Sequence, residues 1–206
     1  MNPKDGARAL ERTGVPRVSA FARVFAHSLL KLMGWRILRS SPDVPKYLCI
    51  AAPHTSNWDM FYFLLLASAM NVKLSFMAKR SLFKPPFGFL TRMLGGISVD
   101  RTRDSNVVDA TIRVFSEKER LVIALLPEAT RTRTDHWKSG FYFIARGANV
   151  PIVMFYMDFS KKEGGSSEPF YLTGDVEFDM DHVRSFYAGR KGHKPENASD
   201  IRLKDE

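Results

Sequence analysis

The sequence holds a single cysteine, Cys49, so an intrachain disulfide is excluded and a reducing compartment is expected. Cys49 lies in an apolar run and reads as a buried bystander. Long hydrophobic runs are missing as well. The longest stretch without charge is Met60–Val72, thirteen residues, whereas a spanning helix needs roughly 20 apolar residues. No transmembrane segment is expected. The first fifteen residues are polar and charged, without the apolar core of a signal peptide. With no secretion signal, the Asn197-Ala198-Ser199 sequon reads as chance. Repeats and low-complexity tracts are absent. Acidic residues are outnumbered, 22 against 31 Lys and Arg, for a net charge of +9 and a pI near 9.8. That excess points to an anionic partner: nucleic acid, anionic lipid or a phosphorylated substrate. It is concentrated early, with nine Lys/Arg against three Asp/Glu from Met1 to Tyr47.

What is present suffices for one α/β domain. The chain has 206 residues, 45% of them hydrophobic. Apolar residues at three-to-four spacing from Val18 to Leu38 predict an amphipathic helix. With Arg23, Lys31, Arg36, Arg39 and Trp35 among them, it suits a bilayer interface or a solvated basic face packed on the domain. Strands are predicted at Tyr47–Ala52, Leu74–Ala78, Ile97–Val99, Leu121–Leu126, Val150–Met157 and Asp175–Phe178. Helices are predicted at Asp59–Met70, Phe87–Leu94, after a Ser105 cap, at Lys138–Arg146 and at Asp181–Tyr187. Strands alternating with helices predict a mostly parallel central sheet flanked by helices. Lys161–Glu168, with Gly164-Gly165, reads as a mobile loop, and the charged tail after Gly189 as frayed and without chemistry. The expected organisation is a basic amphipathic segment over 1–40, one domain over 41–190 and a tail over 191–206.

His54 and Asp59 follow directly on a predicted buried strand, and in open α/β sheets ligands bind beyond the carboxyl ends of strands. Five residues on one helix would leave the two side chains well apart around its axis. They can meet only if His54 stays on the loop and Asp59 lies in the first helical turn. A neutral imidazole there could take the proton of an attacking hydroxyl, and a carboxylate on its other nitrogen would fix its tautomer. Alone the pair is weak. With five histidines and 22 acids, a chance pairing at this spacing is roughly an even bet. A loop histidine bonded to backbone, or a carboxylate capping a helix, would look the same.

A second cluster follows the strongest strand. Pro127-Glu128-Ala129-Thr130-Arg131 also falls at a carboxyl end, and Lys79, Arg101 and Arg103 lie just past other predicted strands. Cations gathered at one sheet edge could hold a phosphate; each singly is also an ordinary surface charge. Phe83, Phe87, Phe89 and Leu90, beside Lys84 and Arg92, form either a second interfacial patch or core.

Four blocks in this order resemble the glycerophospholipid acyltransferase family, which contains 1-acylglycerol-3-phosphate acyltransferases. They are His54-x-x-x-x-Asp59; Lys79, Leu82 and Phe83 leading to Gly96, Ile97, Val99, Asp100 and Arg101; Pro127, Glu128, Thr130 and Arg131; and Val150, Pro151 and Ile152. The likeness covers roughly residues 45–160. It implies an acyltransferase in which His54 is the general base and Asp59 orients it. Lys79, Arg101 and Arg131 would bind the acceptor phosphate, Glu128 and Thr130 would belong to that site, and Pro151 would shape the pocket behind it. It also implies an acyl-CoA or acyl carrier protein donor, a lysophospholipid acceptor, no metal and no other cofactor. The place of work would be the cytoplasmic face of a membrane, peripherally bound to an anionic surface.

Three positions depart from the family pattern. Ala129 and Leu126 stand where Gly and Phe are usual, and Pro53 precedes His54 where Asn is frequent. Glycine tolerates positive φ better than alanine does, so Ala129 bears on the choice of acceptor. The alternatives are another hydroxyl-bearing amphiphile such as a lyso-ornithine lipid, or a non-catalytic lipid-binding module. Nucleic-acid binding has only the charge in its favour, and metal hydrolysis lacks a third ligand.

Overall fold

The computed structural model describes residues 14–86, 88–99, 107–204 and 206. In chain order the elements are α1 (Ala20–Leu32), β1 (Arg36–Arg39), β2 (Lys46–Ala52), α2 (Asn57–Ala69), β3 (Phe76–Lys79), α3 (Gly88–Met93), β4 (Gly96–Val99), α4 (Val107–Glu117), β5 (Leu121–Leu125), α5 (Gly140–Ala148), β6 (Ile152–Asp158), β7 (Glu163–Ser166) and α6 (Val176–Tyr187). Short 3-10 turns at Arg80–Phe83 and Pro195–Asn197 complete the list. The main sheet has the order β1-β7-β6-β2-β5, and β3 pairs with β4 in a small parallel ribbon. Ser75, just before β3, bridges to Ile123 of β5, its N–H on Val122 and its carbonyl on Ala124. The ribbon thereby continues the sheet. Strands β6, β2 and β5 run parallel to one another, as does β1 with β7, whereas the β6–β7 pair is antiparallel. The α/β expectation of a mostly parallel sheet flanked by helices holds.

Strand β2 is buried on both faces, and the pleat sends alternate side chains to opposite cores. Leu48, Ile50 and Ala52 pack with Ile123, Ile152, Trp137 and Phe141 under α5 and α6. Tyr47, Cys49 and Ala51 pack with Val122, Phe155, Phe63 and Leu66 under α1 and α2. Because β2, β5 and β6 run together, their carboxyl ends share one edge, and the loops after Ala52 and Leu125 lie side by side.

Five expectations are corrected. Helix α1 stops at Leu32, because Gly34 at φ +80° lets the Gly34 and Trp35 amides close back on Lys31 and Leu30; β1 then begins. Trp35 is no interfacial ring: it is buried, with Tyr62 and Phe159 at centroid distances of 4.8 and 4.9 Å. The supposed loop Lys161–Glu168 contains β7, whose Gly-Gly marks close approach rather than a turn; a Cβ on Gly164 would lie 2.9 Å from Leu66 Cδ2. Asp175–Phe178 is not a strand. Asp175 caps α6 by accepting from the Phe178 amide at 3.1 Å, and Met180, Val183 and Tyr187 face inward at helical spacing. The tail past Gly189 is ordered on the domain, with Leu203 in the core.

Helix α1 buries Ala26 and Leu30 but leaves Phe21 and Leu32 81% and 85% exposed, with Val24 and Phe25 beside them. Leu82, Phe89, Leu90 and Met93 are exposed as well, while Phe87 and Ser105 lie outside the described residues. Among the described residues no helix is long and apolar enough to cross a membrane.

Candidate active site

Strand β2 ends at Ala52, and Pro53-His54-Thr55 carries the chain to Ser56, the N-cap of α2. Ser56 Oγ accepts from the Trp58 amide at 3.1 Å, and Asp59 three residues on accepts from the Ser56 amide at 2.7 Å, a reciprocal capping box. Asp59 is therefore a helix-capping carboxylate and, at the same time, the neighbour of His54. Its Oδ2 also accepts from the Thr55 amide and from Thr55 Oγ1 (3.0 Å), and lies 4.0 Å from His54 Nδ1. The second oxygen accepts from Ser56 Oγ (3.4 Å) and from the amide of His193 (3.3 Å). Both side chains are nearly sealed from solvent, and His54 Nδ1 makes no hydrogen bond among the described residues. Burial pulls the imidazole below the ordinary histidine pKa; Asp59 opposes this and Arg131 adds to it. The ring is accordingly neutral near pH 7, the state in which it can accept a proton.

Glu128 sits on the neighbouring loop, after Pro127, and is 1% exposed. The turn that tucks it inside closes with the Ala129 amide on the Leu126 carbonyl (3.0 Å), and Ala129 takes φ +55°. The third block thus does require the left-handed backbone that glycine provides at less cost. One Glu128 oxygen accepts from the His54 amide and the other from the Ser199 amide (3.1 Å). Both oxygens are engaged by the protein's own backbone. Burial pushes the Glu128 carboxyl above the usual carboxylate range, and the two amides work against that shift.

The other expected residues are scattered. Arg131 is exposed and near enough to bear on His54, and makes no hydrogen bond or ion pair among the described residues. Thr130 Oγ1 lies 3.0 Å from Thr132 Oγ1 and accepts from the Thr132 amide, so it shapes the turn. Lys79 ends β3 with its side chain exposed and without a hydrogen bond or ion pair among the described residues. Arg101, like Arg103 and Asp100, lies outside the described residues. Pro151 is not behind the site. Its carbonyl accepts from the Leu48 amide at the amino-terminal edge of the sheet, the opposite end of the strands from His54.

Sequence reasoning missed the tail. Besides His193 and Ser199, the Lys194 amide donates to Thr55 Oγ1 (3.0 Å) and Asn197 Nδ2 to the Thr55 carbonyl (3.3 Å). Apart from the sequon there was no motif to find, since most of these contacts are backbone amides. An apolar cavity of about 340 Å³ opens between α2, β3 and β5, lined by Met60, Phe63, Leu64, Leu74, Phe76 and Leu126. Phe63 and Leu126 also line the small space of about 10 Å³ beside His54 and Asp59, so the two spaces adjoin across these side chains. Among the described residues, no three His, Cys, Asp or Glu side chains converge as a metal site would require.

A search of curated proteins finds no match. Among solved structures, the 1-acyl-sn-glycerophosphate (LPA) acyltransferase PlsC from Thermotoga maritima is similar. It is 16% identical, the match covers 93% of this chain and 86% of that one, and the TM-score is 0.54, a likeness of fold. The profile of the Acyltransferase family matches residues 37–158. That span is more than half of the chain and contains all four sequence blocks together with His54, Asp59 and Glu128, and by it the chain belongs to the acyltransferase family.

Proposed function

We propose that the protein transfers a fatty acyl group from a thioester, acyl-CoA or acyl carrier protein, to the hydroxyl of a lysophospholipid of the 1-acylglycerol-3-phosphate type. The observation that carries this reading is a neutral, buried imidazole at the carboxyl end of β2 whose pocket adjoins a 340 Å³ apolar cavity. An acyl chain would lie in that cavity, whose size is within the range of ligand sites. His54 Nδ1 faces Asp59, so Nε2 would take the proton of the acceptor hydroxyl as its oxygen attacks the thioester carbonyl. The new C–O bond forms, the tetrahedral centre collapses with loss of the C–S bond, and the imidazolium returns its proton to the departing thiolate. Asp59 would hold the ring and offset its transient charge. Glu128 would act from behind, fixing the His54 backbone. Arg131, Lys79 and Arg101 would receive the acceptor phosphate.

A lipid acceptor has to be met in its bilayer. The exposed Phe21, Phe25 and Leu32 of α1, in the basic first quarter of the chain, suit the cytoplasmic face of an anionic membrane, each Lys or Arg contributing about 1 kcal/mol near the surface. The protein whose fold is similar is named for lysophosphatidate acylation, which supports the same acceptor class here.

The test pairs labelled acyl-CoA and acyl carrier protein with lysophosphatidic acid, glycerol 3-phosphate and lyso-ornithine lipid. Lysophosphatidic acid is expected to be the best acceptor, and His54→Ala to lose at least about 100-fold in turnover. Preference for lyso-ornithine lipid would assign the other acceptor, which Ala129 in the third block keeps open. Equal turnover by wild type and His54→Ala would remove the mechanism.

A further inference from the structure

The family match ends at residue 158, yet the site does not. The chain returns to it after α6 as a strap that is fastened at both ends. At its root the half-buried Arg190 guanidinium lies over the rings of Tyr156 and Phe186, 3.8 and 4.0 Å from their centroids, and the Lys191 carbonyl accepts from the Phe159 amide at 2.9 Å. At its far end Ser199 Oγ accepts from the Thr134 amide (3.1 Å), Asp200 pairs with Arg133 (3.0 Å), the Arg202 carbonyl accepts from the Trp137 amide (2.8 Å), and Leu203 enters the core. Between these anchors the strap lies directly on the His54 loop.

We propose that residues 190–203 are a working part of the active site, holding the His54 loop in its productive register, with Thr55 and Gly192 as the positioning residues. This rests on the acyl-transfer reading. Thr55 is the point of contact. Its hydroxyl accepts from the Lys194 amide (3.0 Å) and donates to Asp59 Oδ2 (3.0 Å), so the strap reaches one carboxylate oxygen through Thr55 and the other directly, through the His193 amide. Asn197 takes the Thr55 carbonyl and the Ser199 amide takes Glu128, which in turn holds the His54 amide. Asp59, Thr55 and Glu128 are thus all tied to the strap. The fit is close: a Cβ on Gly192 would lie 2.6 Å from Thr55 Oγ1, 2.8 Å from Thr55 Cγ2 and 3.1 Å from Pro53 Cγ. Any side chain there must push away the loop that carries His54. Displacing a reacting group by about 1 Å can cost on the order of 100-fold in rate.

The experiment uses the full chain with Thr55→Val, Thr55→Ser and Gly192→Ala, read by kcat, by KM for lysophosphatidic acid, and by NMR titration of the His54 ring in protein without substrate. Thr55→Val and Gly192→Ala are expected to lower kcat about 10- to 100-fold with KM within about 3-fold, and Thr55→Ser to recover kcat to within about 3-fold of wild type. In the first two the His54 titration should move up toward the ordinary histidine range, as water reaches a ring now held down mainly by burial. Folded Thr55→Val and Gly192→Ala proteins with wild-type kcat and an unmoved His54 titration would overturn the proposal. Should Gly192→Ala not fold, Thr55→Val and its serine rescue carry the comparison. A wild-type protein inactive with every donor and acceptor would overturn the acyl-transfer reading alone; the NMR titration would still decide the strap.

Discussion

Asp59 and Asp179 are built almost alike. Each lies near the start of a helix and is 2% or less exposed. Each accepts from the amide and hydroxyl of one threonine and from the next amide: Thr55 and Ser56 for Asp59, Thr173 and Gly174 for Asp179. They differ on the remaining side. Asp179 receives the Tyr142 hydroxyl at 2.8 Å, which closes its shell. Asp59 faces the imidazole of His54 at 4.0 Å, with a cavity beyond. The electrostatics diverge accordingly. Burial raises the pKa of Asp179, but its donors outweigh that and leave it below the usual carboxylate value, while the Tyr142 phenol is pushed up to about 12, by its own burial first and then by Asp179. The pKa of His54, the partner of Asp59, is instead lowered, and burial thereby keeps the ring neutral as it does the Tyr142 phenol. A saturated buried carboxylate is thus ordinary architecture, and an imidazole beside a cavity is what marks Asp59 rather than Asp179 as part of the candidate site.

The widest separation between them should come from paired amides. Asp59→Asn is expected to lower turnover about 100-fold or more, and Asp179→Asn to leave it within about 3-fold, although each turns an amide against N–H donors at a cost of about 1–3 kcal/mol. Steady-state kinetics and thermal melts separate the two effects. Because the folded-state pKa of Asp179 is lowered, its stabilisation is complete above the ordinary carboxylate pKa and is lost as pH falls through the folded value; acid unfolding should flatten in Asp179→Asn. Equal activity loss in both variants would break the distinction.

A smaller effect is expected at Glu128, which binds the two regions of the site rather than the ring itself. In Glu128→Gln the amide nitrogen must face either the His54 or the Ser199 amide, costing about 1–3 kcal/mol of stability and about 10-fold in turnover. Urea titration and kcat check both figures. Arg131→Gln sharpens the contrast between His54 and Tyr142 by pH alone. Removing a positive charge that disfavours the imidazolium raises the His54 pKa, so the acid limb of kcat against pH should move to higher pH. A limb that moves down would contradict the placement of Arg131. The smallest change is expected from Ala129→Gly, which relieves an alanine at φ +55° and should raise stability by about 0.5 kcal/mol, seen as a small increase in Tm.

The parts of the fold that were legible were those with an unbroken local signal. Strand β2 and the apolar run of β5 are buried on both faces, and their hydrophobicity has no other outlet. Helix α6 was missed at its start because Val176 and Phe178 alternate with acidic residues, a strand-like period, while its buried residues begin only at Asp179 and Met180. Strand β7 was missed because Glu-Gly-Gly-Ser has turn composition; it forms because β1 and β6 hold its backbone on both sides. At the site, residue type and spacing pointed to His54, Asp59 and Glu128. They left helix cap and histidine partner as alternatives for Asp59, which the structure shows to be both, and they could not tell that both Glu128 oxygens are spent on amides from distant parts of the chain.

The sequence by itself determined the α/β class and the order of the elements near the motifs and, through the resemblance of its four blocks, the acyltransferase family, because periodicity, Pro and Gly punctuation and motif order are local properties of the chain. Only the tertiary structure decided what surrounds His54. The strap, the second carboxylate and the apolar cavity come from segments more than 70 residues apart in some pairs, and they meet through backbone groups that every residue carries alike. Amides bear no side-chain signature, so no reading of residue types could have placed them.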